Sequence, residues 1–328
     1  MRYVIALLSL LLFQSVFAGE FDYLPDHPGT VKVDVSRENT SIHGLAAADA
    51  AVFNANFERL RDLLVAQPDF NPPKGVAILG YMRADDQVPK VKGVPVPAFG
   101  HLLSQPCYRN KKTGQPVWHK YTTDEIVVRV NNPYECLDPF DLDGAEVKIR
   151  YEPKRAGEIN GFPIYRTENG DEFIMLSLSD KLPWVPYTRE EFTNLMIRFW
   201  QKQADKTADD KLSPAIVKGH KEFLARMSPE ERKMPARSYP GSQGVYEPGL
   251  ATVGSDLGQP LVKINPQWFD PMLPRSAFQL ITVLFHYSSN LDPDKPVPDE
   301  FGLVSALRLW QYLRTADWKA ISGALSTK

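Results

Sequence analysis

Apolar residues recur along this chain at two different spacings, and the change between them separates predicted helices from predicted strands. From Ala46 to Gln67 the spacing is helical, and Pro68 ends the pattern. From residue 74 onwards, short β-rich runs alternate with Pro, Gly and Asn clusters, which is typical of an antiparallel sheet. The strands predicted there are Val76–Met82, Ala98–Ser104, Ile126–Val130 and Val147–Tyr151.

The strongest local signals follow one another between Gly161 and Lys202. Two runs rich in Ile, Tyr, Phe and Met flank Asn169-Gly170, which predicts a hairpin with a type I′ turn. Pro183 and Pro186 then stiffen an extended connector. Thr188 and Glu191 have the spacing of a capping box, and apolar residues at helical spacing follow it. A hairpin joined to a helix by a rigid connector is therefore predicted.

The remaining chain adds helices and two further strands. Helices are predicted from Ser213 as N-cap, from Ser228, over Phe301 to Arg314, and from Thr315 as the cap of a last helix. Leu261–Ile264 is a predicted strand. Ala277–Tyr287 is interpreted as a strand because of its Ile, Thr and Val, with a buried helix as the alternative. Together these elements predict an α+β fold, an antiparallel sheet flanked by helices.

The first residues have the pattern of a cleavable signal peptide. A charged start precedes an apolar run from Val4 to Phe13, and small residues follow at the positions that signal peptidase recognises. The run is about half of the roughly 20 apolar residues that a membrane-spanning helix needs. We therefore expect a periplasmic or secreted protein without a membrane span after cleavage. The predicted organisation is 1–18 signal peptide, 19–73 N-terminal arm and helix, and 74–328 α+β domain. A division of the last into a β-rich part, 74–187, and a mixed helical part, 188–328, is the alternative.

The net charge of the chain limits which partners it can bind, and its cysteine content limits which cross-links or metal sites it can form. The formal net charge of −2 argues against nucleic acid, because neutralising phosphates requires a basic surface. The chain has two cysteines, Cys107 and Cys136, which we expect to pair in an exported protein. Their loop of about 30 residues would contribute on the order of 3–4 kcal/mol. A metal site of Cys107, His119 and Cys136 is the alternative, but it lacks the close spacing typical of zinc ligands.

Known catalytic motifs are absent, and the candidates each have a simpler structural interpretation. His220 and His286 lie in apolar runs that favour packing over catalysis. The acidic residues between Asp138 and Glu146 do not fit the register of an EF-hand and are more typical of a solvated turn than of a calcium site. Ser242 has a proline where a nucleophile elbow needs its first glycine. No catalytic residue, metal or cofactor is predicted.

Long loops in compact domains are often functional, and the stretch from Ser238 to Gln259 has no periodicity. Tyr239, Tyr246 and Trp268 lie in or beside it, and exposed aromatic rings stack on sugars, peptide side chains or apolar ligands. These three residues are the predicted ligand-binding site, for a glycan, peptide or apolar ligand.

Three segments resemble uncharacterised exported bacterial proteins: Gly161–Tyr165, Leu182–Glu191 and Asn265–Asp270. The resemblance implies export but no activity. We therefore expect a non-catalytic binding protein of the envelope or extracellular space. A hydrolase acting on an envelope polymer through general acid/base chemistry, and a scaffold or assembly protein, are the alternatives.

Overall fold

The computed structural model describes residues 20–37, 44–85, 94–120, 124–133, 137, 149–167, 170–206, 210–239, 248–254, 258–286 and 303–326. The fold is α+β, as predicted. Its strands are β1 (Phe21–Tyr23), β2 (Val31–Val35), β3 (Val76–Ala84), β4 (Ala98–Asn110), β5 (Pro116–Trp118), β6 (Glu125–Val130), β7 (Arg150–Tyr151), β8 (Lys154–Ile159), β9 (Phe162–Arg166), β10 (Glu172–Ser177), β11 (Trp184–Pro186), β12 (Arg237–Ser238), β13 (Gln259–Ile264) and β14 (Leu280–His286). Its helices are α1 (Ala47–Val65), α2 (Arg189–Lys206), α3 (Leu212–Arg226), α4 (Pro229–Lys233), α5 (Leu303–Thr315) and α6 (Trp318–Ser322).

Two compact units make up the described chain, and both are discontinuous in sequence. The first contains the described residues of Met1–Pro133, Arg155–Asp180 and Phe269–Lys328, and the second those of Tyr134–Lys154 and Lys181–Trp268.

A ten-stranded sheet dominates the first unit. Its strand order is β2-β3-β4-β6-β14-β10-β9-β8, and β1 and β5 both pair with the C-terminal end of β4. All the pairs along β3-β4-β6-β14-β10-β9 are antiparallel, whereas β2 runs parallel to β3. The predicted N-terminal arm thus contributes two strands, β1 and β2, to this sheet.

One face of this sheet, which we call the inner face, is covered by α1, α5 and α6. Alternate residues of the strands point there, for example Ile126, Val128 and Val130 of β6, and join one hydrophobic core with the helices. Aromatic rings fill much of that core: Phe53 meets Phe278 edge-on with centroids 5.4 Å apart. The opposite face, the outer face, receives the intervening residues of each strand.

The second unit is a small sheet with three helices. β13 pairs with β11, β12 and β7, all antiparallel. α2 contributes Phe192, Leu195 and Met196 to a core that also contains Tyr151 and Leu261.

Several local predictions are confirmed. Glu191 and Thr188 form the reciprocal hydrogen bonds of a capping box at the start of α2, at 3.0 and 3.1 Å. The predicted hairpin consists of β9 and β10. Its turn differs from the predicted type I′ turn with Asn169-Gly170 at the centre, because the Gly170 amide donates to the Thr167 carbonyl at 3.1 Å and Gly170, with φ +91°, takes the last position of the turn. The segment Ala277–Tyr287 contains strand β14, so its alternative interpretation as a buried helix is wrong.

Two predicted N-caps are wrong. The carboxylate of Asp210, rather than the Ser213 hydroxyl, accepts hydrogen bonds from the first amides of α3, those of Leu212 and Ser213, at 2.8 and 3.0 Å. A carboxylate near a helix N-terminus also interacts favourably with the helix dipole.

Thr315 ends α5 instead of capping α6. Its hydroxyl donates a hydrogen bond to the Gln311 carbonyl one turn earlier, at 2.9 Å. Asp317 is the N-cap of α6 and accepts from the Ala320 amide at 2.9 Å.

Candidate functional site

Three neighbouring strands of the first unit place aromatic and charged side chains together on the outer face. β3 contributes Tyr81 and Arg83, β4 contributes Phe99 and His101, and β6 contributes Glu125 and Arg129. In each strand these residues alternate with residues of the hydrophobic core, so the pleat directs them away from the helices. We call these six residues the outer-face cluster.

The centre of the cluster is a row of three side chains across the strands. Arg83 is in register with Phe99, and Phe99 is in register with Arg129. The guanidinium carbons of the two arginines lie 4.7 and 5.0 Å from the centroid of the Phe99 ring. Each such cation–π contact is worth about 0.5–1 kcal/mol at exposed sites. The Phe99 ring therefore makes cation–π contacts with both Arg83 and Arg129.

A second row contains a stacked aromatic pair. Tyr81 is in register with His101, and their rings stack at 5.4 Å with an interplanar angle of 21°. Phe99 meets His101 edge-on at 5.6 Å. Although its neighbours are largely buried, Tyr81 keeps 45% of its surface exposed. The cluster thus presents an aromatic ring at the surface, held in place by its neighbours.

The two arginines differ in their electrostatic partners. Arg129 lies 3.6 Å from the buried carboxylate of Asp85, which also accepts a hydrogen bond from the Asn132 side chain at 3.4 Å. Arg83 forms no ion pair with any residue that the structure describes. The Nε atoms of both arginines are buried and lack a hydrogen-bond acceptor within the described ranges. Arg83 is therefore the arginine of the cluster that has no carboxylate partner among the described residues.

Glu125 is held by His101. The His101 Nδ1–H donates to the Glu125 carboxylate at 2.6 Å. This hydrogen bond, with the charges of His101, His286 and Arg129, outweighs the burial of the carboxyl group and lowers the pKa of Glu125. Glu125 consequently stays ionised and fixes the orientation of the His101 ring.

A second histidine–carboxylate pair lies beside the first. His286 of β14 is in register with Glu125, and its Nδ1 lies 3.0 and 3.1 Å from the two carboxylate oxygens of Asp171. The side chain of His286 is 46% exposed. Histidines and carboxylates thus alternate in a row across one end of the sheet, in the order His101, Glu125, His286 and Asp171. No group of three or more His, Cys, Asp or Glu residues in the described part of the chain could hold a metal ion.

The structure separates two of the residues that the sequence predicts as a ligand site. Tyr239 follows Ser238, which pairs with Gln259 at the first position of β13, while Trp268 lies beyond the last position of β13. A strand of six residues spans roughly 17–20 Å. Tyr239 is 40% exposed, so it can contact a ligand. The Trp268 ring N–H donates to the Lys181 carbonyl at 2.7 Å, which is a structural contact. Tyr246 lies outside the described residues, and the binding role of all three stays a prediction.

The other predicted candidates have varied outcomes. Cys107 is buried in β4, and burial raises the pKa of its thiol. Its predicted partner Cys136 lies outside the described residues, as do the acidic residues from Asp138 to Glu146 and Ser242, so these predictions stay open. His220 is buried in α3, in line with its structural interpretation.

The outer-face cluster itself was not predicted from the sequence. Its only local signal is the alternation in β3, β4 and β6, where Tyr81, His101 and Arg129 each stand between apolar or small neighbours. Alternation identifies the outer face of one strand but does not reveal which strands are neighbours.

Two further observations concern the whole molecule. Among the described residues, no helix has the length and apolar character needed to cross a membrane. Comparison with protein-family models, with curated proteins and with solved structures finds no match to this chain.

Proposed function

We propose that this chain is a non-catalytic binding protein of the envelope or extracellular space, and that it binds its ligand at the outer-face cluster. The observation that carries the proposal is the exposed Tyr81 ring beside Arg83, a cation without a carboxylate partner in the described chain. The Arg83 guanidinium carbon is 5.9 Å from the centroid of the Tyr81 ring. Both groups are therefore within reach of one small ligand.

Physical chemistry supports a ligand at this surface. An aromatic ring offers a flat apolar area for another ring, and a guanidinium group offers several hydrogen-bond donors in one plane. Both side chains stand on β3, which pairs with β2 and β4, and the stack with His101 restricts the Tyr81 ring. Side chains that are already ordered lose little entropy on binding, so a small contact area yields more affinity.

The location outside the cytoplasm rests on the signal-peptide pattern of residues 1–18. Expression of the full chain in a bacterial host, followed by fractionation and N-terminal sequencing, tests it. Recovery from the periplasm or medium with a new N-terminus at Gly19 is the expected result. Retention of the uncleaved chain in the cytoplasm would contradict export.

The binding surface can be tested with two matched tyrosine substitutions. Tyr81→Ala removes the exposed ring of the cluster, and Tyr239→Ala removes an exposed ring of the second unit (45% and 40% exposed). A panel of glycans, peptides and fatty acids is screened by thermal unfolding of the purified protein, since a ligand that binds the native state raises the midpoint. We expect Tyr81→Ala to abolish the shift and Tyr239→Ala to retain it. The opposite result would move the site to the loop after β12.

The two histidine–carboxylate pairs favour a second candidate function, a hydrolase acting on an envelope polymer. A histidine held at Nδ1 by a carboxylate is the usual arrangement of a general base, and such a base contributes about 10²–10⁴-fold to a rate. Turnover of polysaccharide or peptidoglycan fragments, reduced about 100-fold or more by His101→Gln and unaffected by His119→Gln, would support it. Absence of turnover by the wild-type protein would leave the binding function.

A further inference from the structure

The charges around the outer-face cluster indicate which chemical class of ligand it accepts, and this inference rests on the proposed binding function. Arg129 is compensated by Asp85 and lies near Glu125, whereas Arg83 has no carboxylate partner in the described residues. A half-buried guanidinium group without a partner is electrostatically unfavourable unless an anion or water solvates it. A ligand carboxylate would supply two acceptor oxygens in the plane of the guanidinium group.

The neighbours of Tyr81 restrict the ligand further. One face of its ring stacks on His101 in β4, so a ligand ring must use the side towards β2. There Asp34, an exposed residue, is in register with Tyr81. A ligand at this position therefore has a cation, Arg83, two residues along β3 and a hydrogen-bond acceptor, Asp34, on the neighbouring strand β2.

We propose that the ligand is a carboxylated sugar, a uronic acid residue, whose ring lies against Tyr81. Its carboxylate binds Arg83, and its hydroxyl groups donate hydrogen bonds towards Asp34. The C–H face of a pyranose suits the flat Tyr81 ring, and the short distance from the ring to the carboxylate of a uronate suits the 5.9 Å between the Tyr81 centroid and the Arg83 guanidinium carbon. A simple aromatic carboxylate such as benzoate satisfies Arg83 and Tyr81 but has no donor for Asp34.

Three small compounds separate these contributions when their affinities for the purified full-length protein are measured by NMR titration. Galacturonate has the ring, the carboxylate and the hydroxyl groups, galactose lacks the carboxylate, and benzoate lacks the hydroxyl groups. We expect galacturonate to bind at least about tenfold more tightly than galactose, which lacks the bidentate carboxylate bond to Arg83. It should also bind more tightly than benzoate, which keeps that bond but donates no hydrogen bond to Asp34. Equal binding of benzoate and galacturonate would overturn the assignment to a sugar.

Variants then locate the contacts. Arg83→Gln should weaken galacturonate about tenfold or more and leave galactose unchanged. Arg109→Gln is the matched control, because Arg109 is exposed on the same sheet but lies eight residues along β4 from His101, roughly 25 Å away. Asp34→Asn should weaken galacturonate by a smaller factor.

The failure of this inference can be told apart from the failure of the proposed function. If galactose binds as tightly as galacturonate, Arg83→Gln has no effect and Tyr81→Ala still abolishes binding, the cluster is the ligand surface but the ligand is not an acid. If galacturonate binds and neither Tyr81→Ala nor Arg83→Gln changes its affinity, both proposals are wrong. If no galacturonate binding is detected at millimolar concentration, the uronate assignment is overturned.

Discussion

The Nδ1 atom of His101 lies 2.6 Å from a carboxylate oxygen of Glu125, although the two residues are on different strands and 24 positions apart in sequence. This hydrogen bond joins β4 to β6 through their outer-face side chains, next to the row of Arg83, Phe99 and Arg129. Its strength sets how rigidly the His101 ring supports the exposed Tyr81 ring.

The stability of the protein should depend on the ionisation of Glu125. The hydrogen bond from His101 lowers the pKa of this carboxyl group in the folded state from its ordinary value of 4.5. A lowered folded-state pKa gives stabilisation that is present above the unfolded pKa and is lost as pH falls through the folded value. We therefore expect the free energy of unfolding of the wild type to fall more steeply below about pH 4.5 than that of Glu125→Gln.

Urea unfolding between pH 3 and pH 7 measures this difference. At neutral pH the substitution should cost about 1 kcal/mol, because a charge-assisted hydrogen bond is replaced at a site that is one-quarter exposed. Glu158→Gln is the control, since Glu158 pairs with Arg155 at the surface. Parallel pH curves for the wild type and Glu125→Gln would show that the pair does not stabilise the fold.

The stability of the protein should also depend on pH in the alkaline range, because of the buried Tyr312 in α5. Its hydroxyl is fully buried and donates to the Leu64 carbonyl near the end of α1 at 2.7 Å. Burial, together with the nearby charge of Asp69, raises the pKa of Tyr312 well above 10.0. A raised folded-state pKa gives stabilisation that is complete below the unfolded value and is lost as pH rises through the folded value.

The wild type should therefore lose stability above about pH 10, and Tyr312→Phe should lose less over the same range. At pH 7 the substitution should cost about 1–2 kcal/mol, since it removes one hydrogen bond and leaves a buried carbonyl without its donor. Chemical unfolding at pH 7 and pH 10.5 tests both expectations, with the exposed Tyr81→Phe as control. An unchanged stability at pH 7 would mean that the Leu64 carbonyl finds another donor.

The sequence predicts local structure well because local structure has local causes. The turn at Gly170 and the capping box of Thr188 and Glu191 each depend on residues a few positions apart. The end of β4 has a different cause: the strand was predicted to stop at Ser104, before Pro106, but extends to Asn110 because β1 and β5 pair with it. β1 precedes this part of β4 by more than 80 residues, so no local pattern reports that pairing. β5 follows β4 after only five residues and forms a local hairpin with it that was not predicted.

The candidate site could not be predicted for the same reason. Phe99 and Arg83 come from neighbouring strands on either side of a long connection, and Arg129 comes from a third strand. Each residue alone is an ordinary outer-face residue of a strand. Only the strand order and register bring them into one row, and both are tertiary properties.

Loss of the buried charge of Glu172, in the first unit, should destabilise the protein. Its carboxylate has only 6% side-chain exposure and binds Arg166 and Arg314 at 2.6 and 2.8 Å. Removing one member of a buried ion pair typically costs 3–5 kcal/mol, because the remaining charge stays desolvated. Here the arginines are 57% and 31% exposed and can recover water, so we expect Glu172→Gln to cost about 2 kcal/mol.

Equilibrium unfolding of Glu172→Gln measures this cost, and a double substitution separates charge from packing. Glu172→Gln combined with Arg314→Gln removes one uncompensated charge and should recover part of the loss. A double variant as unstable as the sum of its single variants would show that the two side chains do not interact.

Asn131 should be the most sensitive polar residue in the part of the first unit that borders the site. It follows β6 directly, has φ +54° and is 2% exposed. Its amide group donates to the carbonyls of Val96 and Ala277, and its side-chain oxygen accepts from the amides of Gln279 and Leu280. One side chain thus satisfies backbone groups of two separate segments, at Val96 and between Ala277 and Leu280.

Asn131→Ala leaves those buried backbone groups without partners and forces alanine into the left-handed region. Each unsatisfied group costs about 1–3 kcal/mol, so we expect a loss of at least about 3 kcal/mol in the free energy of unfolding. Asn160→Ala is the matched control, because Asn160 has the same φ of +54° but is not buried. Since both variants carry the same backbone strain, a much larger loss for Asn131→Ala isolates the hydrogen bonds. Similar losses for the two variants would attribute the effect to backbone conformation alone.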